Sequence, residues 1–261
     1  MSLVRFIYKY ILYLFKSQSR HGLHSPFVYE LMDKVILNDN EYYAYKEIQS
    51  LQAQLLLSDK KINVTDFGAG SSLTPKTQRK IKDNARHSAK SVKYGKLLFR
   101  LVNYFKPKTM LELGTSLGIS TLYQAKAAPD STFITLEGST EVAEEAKLNF
   151  QKLKASHIRL ICGEFSETLP VAVEELSPVD YVFFDGNHQK KATLHYFNLC
   201  LPKSQNHSVF IFDDIHWSKG MEEAWEEIKN HPSVTVTIDL FFLGLVFFRK
   251  EQVKQHFILR F

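Results

Sequence analysis

The stretch Thr109-Met-Leu-Glu-Leu-Gly-Thr-Ser-Leu-Gly-Ile-Ser-Thr-Leu-Tyr123 constrains this chain more than any other. A short apolar run breaks off at a turn of small residues, and a helix-compatible segment follows. That order opens a strand–helix–strand unit and brings backbone N–H groups at a helix N-terminus close to a ligand. Gly114 and Gly118 let the chain turn without a Cβ, and Glu112 adds an acceptor at the strand's end. The spacing is E-x-G-x-x-x-G rather than G-x-G-x-x-G. It points away from a pyrophosphate and towards an uncharged nucleoside that bears an amino acid.

From residue 90 onward the pattern alternates. The apolar spacing of Val92, Leu97, Leu98, Leu101, Val102 and Phe105 predicts a helix that stops before Pro107. Strands are predicted at 110–113, 132–136, 158–161, 179–184 and 209–212. Helices are predicted at 120–127, 141–153, about 166–175, about 190–200 and 219–229. Two further strands, 234–240 and 243–249, close the chain about a turn at Gly244. Strands alternating with helices predict an α/β domain with a mostly parallel sheet covered on both faces. The final pair can be antiparallel because its connection is short.

In such a sheet ligands sit outside the carboxyl ends of the strands, so the residues just past each strand belong together. The first strand is followed by Gly114, Thr115, Ser116, Gly118 and Ser120, with Glu112 at its end. Glu137 follows the second, twenty-three residues beyond Gly114, and Gly138 comes next. An acid in that place can accept hydrogen bonds from both hydroxyls of a ribose. Cys162, Gly163, Glu164 and Phe165 follow the third, Asp185, Gly186, Asn187 and His188 the fourth, and Asp213, Asp214, His216 and Trp217 the fifth. Any one of these groups is a weak signal, since glycine turns and helix caps are common. Five in register at one sheet edge are a strong one.

The 261 residues allow one large α/β domain with an appendage, and the formal charge of +5 is modest and scattered, so a nucleic-acid surface is not indicated. No run reaches the roughly 18 apolar residues of a membrane span. Cys162 and Cys200 lie far apart, which suggests free thiols in a reducing compartment and a cytoplasmic protein. Leu3, Phe6, Ile7, Tyr10, Ile11, Leu14 and Phe15 fall at helical spacing with Arg5, Lys9 and Lys16 between them. The first reading of that helix is packing on its own domain or on a second copy of the chain, with an interfacial membrane helix as the rival. Residues 1–89 are expected to form a mostly helical extension, and 90–261 the α/β domain. Ser25 and Pro26 suit the start of a helix, while His21 and His24 suit satisfied loop positions. The segment 61–71, which includes Val64, Gly68 and Gly70, imitates a strand entering a glycine loop. It lacks a second apolar strand with a terminal acid downstream, so it is expected to be a loop bordering the site.

The succession E-L-G-T-S-L-G-I-S-T, L-E-G, C-G-E, V-F-F-D-G-N-H and F-I-F-D-D resembles class I S-adenosylmethionine-dependent methyltransferases. Within them it is most similar to the small-molecule O-methyltransferases related to catechol O-methyltransferase, over about residues 90–249. The resemblance implies a Rossmann-like, seven-stranded sheet with an antiparallel last strand, and S-adenosylmethionine as cofactor. It implies Glu112, Gly114, Thr115, Ser116, Gly118 and Ser120 around the methionine moiety, Glu137 and Gly138 at the ribose, and Gly163, Glu164 and Asp185 as further cofactor contacts. It also implies Mg2+ or another divalent cation on Asp185, Asp213 and Asp214, although the family places an amide where Asp214 stands. The family's general base is a lysine three residues after the fourth-strand acid. His188 occupies that place, with Lys190 and Lys191 nearby. His216 and Trp217 would line the pocket of a small-molecule hydroxyl acceptor, whereas Trp225 suits the core.

Three rival readings are weaker on the residues themselves. A nicotinamide-dependent oxidoreductase lacks G-x-G-x-x-G and a Tyr-x-x-x-Lys pair. A catalytically silent interaction protein would have no use for His188 or the strand-end acids. A nucleic-acid methyltransferase would carry an Asn/Asp-Pro-Pro-Tyr/Phe loop, which is absent.

Overall fold

The computed structural model describes residues 3–65, 77–88 and 91–261. In chain order, α1 (Leu3–Lys16) leads to α2 (Pro26–Leu31), which widens into a π-helical turn at Met32–Ile36. α3 (Ala44–Leu57), β1 (Lys61–Val64), β2 (Thr77–Lys80) and α4 (Ile81–Ser88) follow. Then come α5 (Val92–Phe105), β3 (Thr109–Leu113), α6 (Ile119–Ala127), β4 (Thr132–Glu137), α7 (Thr140–Lys152), β5 (Ile158–Cys162) and α8 (Phe165–Glu175). β6 (Val179–Phe184), α9 (Lys190–Cys200), β7 (Ser204–Asp213), α10 (Lys219–Asn230), β8 (Val236–Asp239), β9 (Leu243–Phe247) and β10 (Gln255–Ile258) complete it.

The fold class is mixed α/β, a large, mostly parallel sheet flanked by helices. Among the described residues that sheet has eight strands rather than the seven expected. The extra one is β10, which pairs parallel to β8 beyond the point where the sequence pattern was expected to end. β9 is the antiparallel strand, running against both β7 and β8. The turn between β8 and β9 does not fall at Gly244. It falls at 240–242, where Phe241 takes a left-handed φ of 70° and its N–H is held by Asp239 Oδ1 at 2.8 Å.

The chain divides into two compact units, 39–177 and 1–38 with 178–261. Residues 1–89, expected as one helical extension, are therefore shared between them, and they include the antiparallel hairpin β1–β2. Residues 66–76, which hold most of the glycine-bearing imitation, lie outside the described residues.

In the unit 39–177, β3, β4 and β5 run parallel, with Glu112 opposite Thr135 and Glu137 opposite Cys162. Tyr45, Phe99, Leu122 and Tyr123 are buried together and join α3, α5 and α6 in one core. α5 ends as expected before Pro107, with Lys106 left-handed at φ 49° and its N–H bonded to the Val102 carbonyl. The hairpin β1–β2 is fastened to α7: the backbone N–H and the side-chain amide of Asn63 both donate to Glu141, each at 2.6 Å.

In the other unit, β6 and β9 are buried along their whole length, as central strands of a covered sheet are. Phe184 and Phe212 pair in register with parallel rings 4.4 Å apart. Ser25 caps α2 through its Oγ, with Pro26 at the first helical position. Trp225 is buried on α10 against β9, where a Cβ on Gly244 would meet its ring at 2.7 Å. That approach predicts that Gly244→Ala costs about 1–3 kcal/mol through overpacking. A thermal melt should show a lower midpoint, and an unchanged midpoint would show that the ring can move aside.

Candidate functional site

In the unit 39–177, a candidate site lies where β3 stops. Gly114, Ser116 and Gly118 all have positive φ, at 99°, 49° and 82°, so the chain reverses sharply before α6. Gly118 has two reasons to lack a side chain: its φ, and Phe150 Cε1, which would lie 2.5 Å from a Cβ. The turn is clamped to the neighbouring strand, because Gly114 and Thr115 both donate to the Leu136 carbonyl, at 2.9 and 3.1 Å. Asn149 on α7 donates to the Leu117 carbonyl at 3.0 Å.

Beneath the turn lies Glu112, fully buried. One carboxyl oxygen accepts from Thr121 at 2.5 Å and Thr135 at 2.7 Å, and the other accepts from Gln124 at 2.8 Å. Thr115 and Thr135 share a hydroxyl hydrogen bond of 2.6 Å, and Ser120 is also buried. The acceptor expected at the strand's end is thus engaged inside the protein. Glu112 and Thr115, expected as cofactor contacts, brace the turn from below. Burial pushes the Glu112 carboxyl up to about 7, against the hydroxyls of Thr121, Thr135 and Ser120 and the amide of Gln124, which pull it down.

The half-buried groups at this edge are Gly114, Ser116, Glu137, Gly138 and Gly163. Glu137 closes β4, and its two oxygens accept from the backbone N–H groups of Ser116 at 2.8 Å and Ser139 at 2.9 Å. Burial raises its pKa, and the N–H groups of Ser139, Ser116 and Gly138 act the other way. Gly163, at φ 153°, donates to the Glu137 carbonyl at 2.9 Å, while Glu164 is exposed at the start of α8. Ser139 was not foreseen. It is buried, and its Oγ accepts from Thr65 N–H at 3.1 Å, which ties the end of β1 to this loop. Only the strand register and the hairpin reveal that link; nothing in the local sequence signals it.

In the other unit, a separate group of polar residues collects at the ends of β6 and β7. Asp185, His188 and Asp213 each present a ligand atom within 4.8 Å of the others. His188 Nε2 lies 3.8 Å from Asp185 Oδ1 and 3.9 Å from Asp214 Oδ2. Asp213 is 2 % exposed, whereas Asp185, Asp214 and His188 are partly open. Asn187 and Asp214 take left-handed φ values of 50° and 55°, which fold each loop back on its strand end. Asp214 N–H is anchored on the Phe242 carbonyl at 2.7 Å. The two carboxylates and the imidazole of the group Asp185, His188 and Asp213 are donors that could hold a divalent cation.

His216 and Trp217, expected to line the acceptor pocket, stand in different surroundings. His216 is a network residue: Nε2 is 2.7 Å from Asp239, Nδ1 is 3.5 Å from Glu222, and its ring stacks on Phe241. Burial opposes its charge, but Asp239 and Glu222 outweigh that, and its pKa is raised. Trp217 is 55 % exposed. Lys190 is held by Glu223 at 3.1 Å and Glu227 at 2.6 Å, so it is committed to ion pairs rather than standing by as a base. His21 and His24 are exposed loop residues.

Residues 111–215 match the family described as a methyltransferase domain. The chain is 30 % identical over 129 residues to a catechol O-methyltransferase of Mycobacterium tuberculosis, covering 49 % of this chain and 57 % of that one. It is 32 % identical over 124 residues to a catechol O-methyltransferase of Niastella koreensis, covering 46 % and 55 %. The chain therefore spans little more than half the length of these curated relatives. Among solved structures, an SAH-bound methyltransferase from Podospora anserina superposes with a TM-score of 0.61 at 14 % identity, over 88 % of this chain and 98 % of that one.

The buried Glu112 carboxyl generates a prediction with a definite sign. Its folded-state pKa of about 7 lies above the ordinary 4.5, so folding disfavours the ionised form. The cost is absent below pH 4.5, grows as the pH rises towards 7 and is complete above it. Relative to Glu112→Gln, the wild-type protein should lose about 3 kcal/mol across that window. Parallel denaturation curves of the two proteins would contradict this.

Proposed function

From a chain whose residues 111–215 match a methyltransferase-domain family, we propose a transfer of methyl from S-adenosylmethionine to a hydroxyl oxygen of a small molecule. The observation that carries the reading is the left-handed turn Gly114–Gly118 clamped to the end of β4 beside Glu137. Bound S-adenosylmethionine supplies an electrophilic methyl group on a sulfonium. The half-buried edge of Gly114 and Ser116 receives the methionine portion. Glu137 keeps acceptor capacity beyond its two backbone bonds and takes the ribose hydroxyls. Gly138 and Gly163 leave room beside the base. Glu112, Thr115 and Ser120 hold the turn's shape instead of touching the cofactor.

Asp185, Asp213 and Asp214 are the residues that would hold a divalent cation, which when bound lowers the pKa of an acceptor hydroxyl. His188, with Nε2 3.8 Å from Asp185 and 3.9 Å from Asp214, is the group placed to receive the proton that the hydroxyl releases. As the O–CH3 bond forms, the S–CH3 bond breaks and S-adenosylhomocysteine leaves. Proton transfer contributes about a hundredfold or more, and alignment of the acceptor supplies much of the remaining rate. Similarity to two catechol O-methyltransferases supports a catechol-type acceptor. Relative to an oxidoreductase, the reading is favoured by the absence of a pyrophosphate-type glycine spacing after β3.

Calorimetric titration with S-adenosylhomocysteine tests the cofactor. Wild-type protein should bind it, and Glu137→Ala should weaken binding by about tenfold to a hundredfold, the worth of hydrogen bonds to a charged group. An absence of heat with wild-type protein would sink the methyltransferase reading. A second comparison separates base from ligand. His188→Ala should keep the Mn2+ isotherm that Asp213→Asn abolishes, while its turnover of catechol falls by about a hundredfold or more. Loss of the isotherm in His188→Ala would make that residue a ligand, and unchanged turnover would remove it from catalysis.

A further inference from the structure

Helix α1 is apolar on both sides, and its own unit covers only one. Phe6, Tyr10 and Tyr13 pack on Phe241 with ring centroids 5.4, 4.9 and 5.3 Å away. The same side is pinned by polar contacts. Tyr13 donates to the Leu259 carbonyl at 2.5 Å, Arg260 donates to the Leu14 carbonyl at 2.7 Å, and Lys9 pairs with Glu222 at 2.5 Å. The helix is therefore held in one orientation.

Its other side carries Val4, Ile7, Tyr8, Ile11, Leu12 and Phe15, which recur at helical spacing and are all exposed, Val4 by 78 % and Phe15 by 84 %. Among the described residues sixteen large hydrophobics are exposed, and seven of them fall on these fourteen residues. Single exposed apolar side chains need no explanation, but such a concentration marks a contact surface. A helix that is apolar all round requires cover on the side its own domain leaves open.

Charge selects the cover. α1 carries Arg5, Lys9 and Lys16 and no acid. At about 100° per residue, Arg5 and Lys16 flank the stripe along its Leu12 edge, and both are exposed, Arg5 with Glu222 of its own chain 4.0 Å away. A second copy of the helix would bring the same cations and no carboxylate to meet them, so self-pairing sets like charges together. An anionic lipid surface answers both features: the stripe enters the headgroup–acyl boundary, and the basic edge meets the headgroups. At about 1.5 Å per residue, α1 is about 21 Å long, short of a bilayer's hydrocarbon core. No helix among the described residues is long and apolar enough to cross a membrane. The helix therefore lies in the plane of the surface. We propose that α1 is an interfacial helix that seats the protein on an anionic membrane surface through Val4, Ile7, Tyr8, Ile11, Leu12 and Phe15.

Vesicle flotation of the full chain tests this, with phosphatidylcholine alone and phosphatidylcholine mixed with phosphatidylserine. The protein should float with the mixed vesicles, and added salt should weaken that binding. Ile11→Glu with Phe15→Glu should lower it by about a hundredfold or more, the loss of two buried apolar side chains. Arg5→Gln with Lys16→Gln keeps the stripe and should lose the preference for phosphatidylserine. Circular dichroism and S-adenosylhomocysteine binding should stay unchanged in both variants, because the altered side chains are exposed. Protein that sediments with both vesicle types overturns the proposal, as does a glutamate variant that floats like the wild type. A wild-type dimer in light scattering that the glutamate variant splits, without flotation of either protein, assigns the face to a second copy instead.

Discussion

Two N–H groups on one carbonyl hold this site together. Where β3 ends, Gly114 and Thr115 both donate to Leu136, so the chain cannot continue as a strand and is forced into the left-handed turn. That double bond to the neighbouring strand leaves Ser116 N–H aimed at Glu137, and Glu137 in turn holds Ser139. The loops after β3 and β4 thereby become one object. The buried Glu112, satisfied by two threonines and a glutamine, keeps the floor of that object rigid, at the cost of a carboxyl that resists ionisation.

Much of this was legible in the sequence because backbone geometry dictates residue type. Gly114 and Gly118 announce positive φ, and an acid at a strand's end announces a ligand edge. The alternation beyond residue 90 gave the parallel strands because apolar runs of that length bury on both faces. What local pattern could not carry was register. Thr135 meets Glu112 only because β3 and β4 align those two residues, so the fate of Glu112 as an internal brace was invisible in the motif. For the same reason Ser139 and Asn63, separated by 76 positions, could not be linked from sequence. β10 was missed because Gln255–Ile258 is short and mixed in character.

The acidic group shows a different limit. Asp185, His188 and Asp213 come together because two loops after β6 and β7 each fold back through a left-handed residue. Their order along the chain suggested company but not distance. His216 shows the same limit: Asp239 on β8 and Glu222 on α10 lie against its two ring nitrogens, partners that no local window of sequence reveals.

The cofactor reading rests on the claim that the turn after β3 is built for a nucleoside whose ribose Glu137 receives. A crystal structure of the protein with S-adenosylhomocysteine tests it directly. The account predicts ribose hydroxyls within hydrogen-bond distance of the Glu137 carboxyl and the amino-acid end against Gly114 and Ser116. A nucleoside bound elsewhere, with Glu137 still engaged only by Ser116 and Ser139, would contradict it.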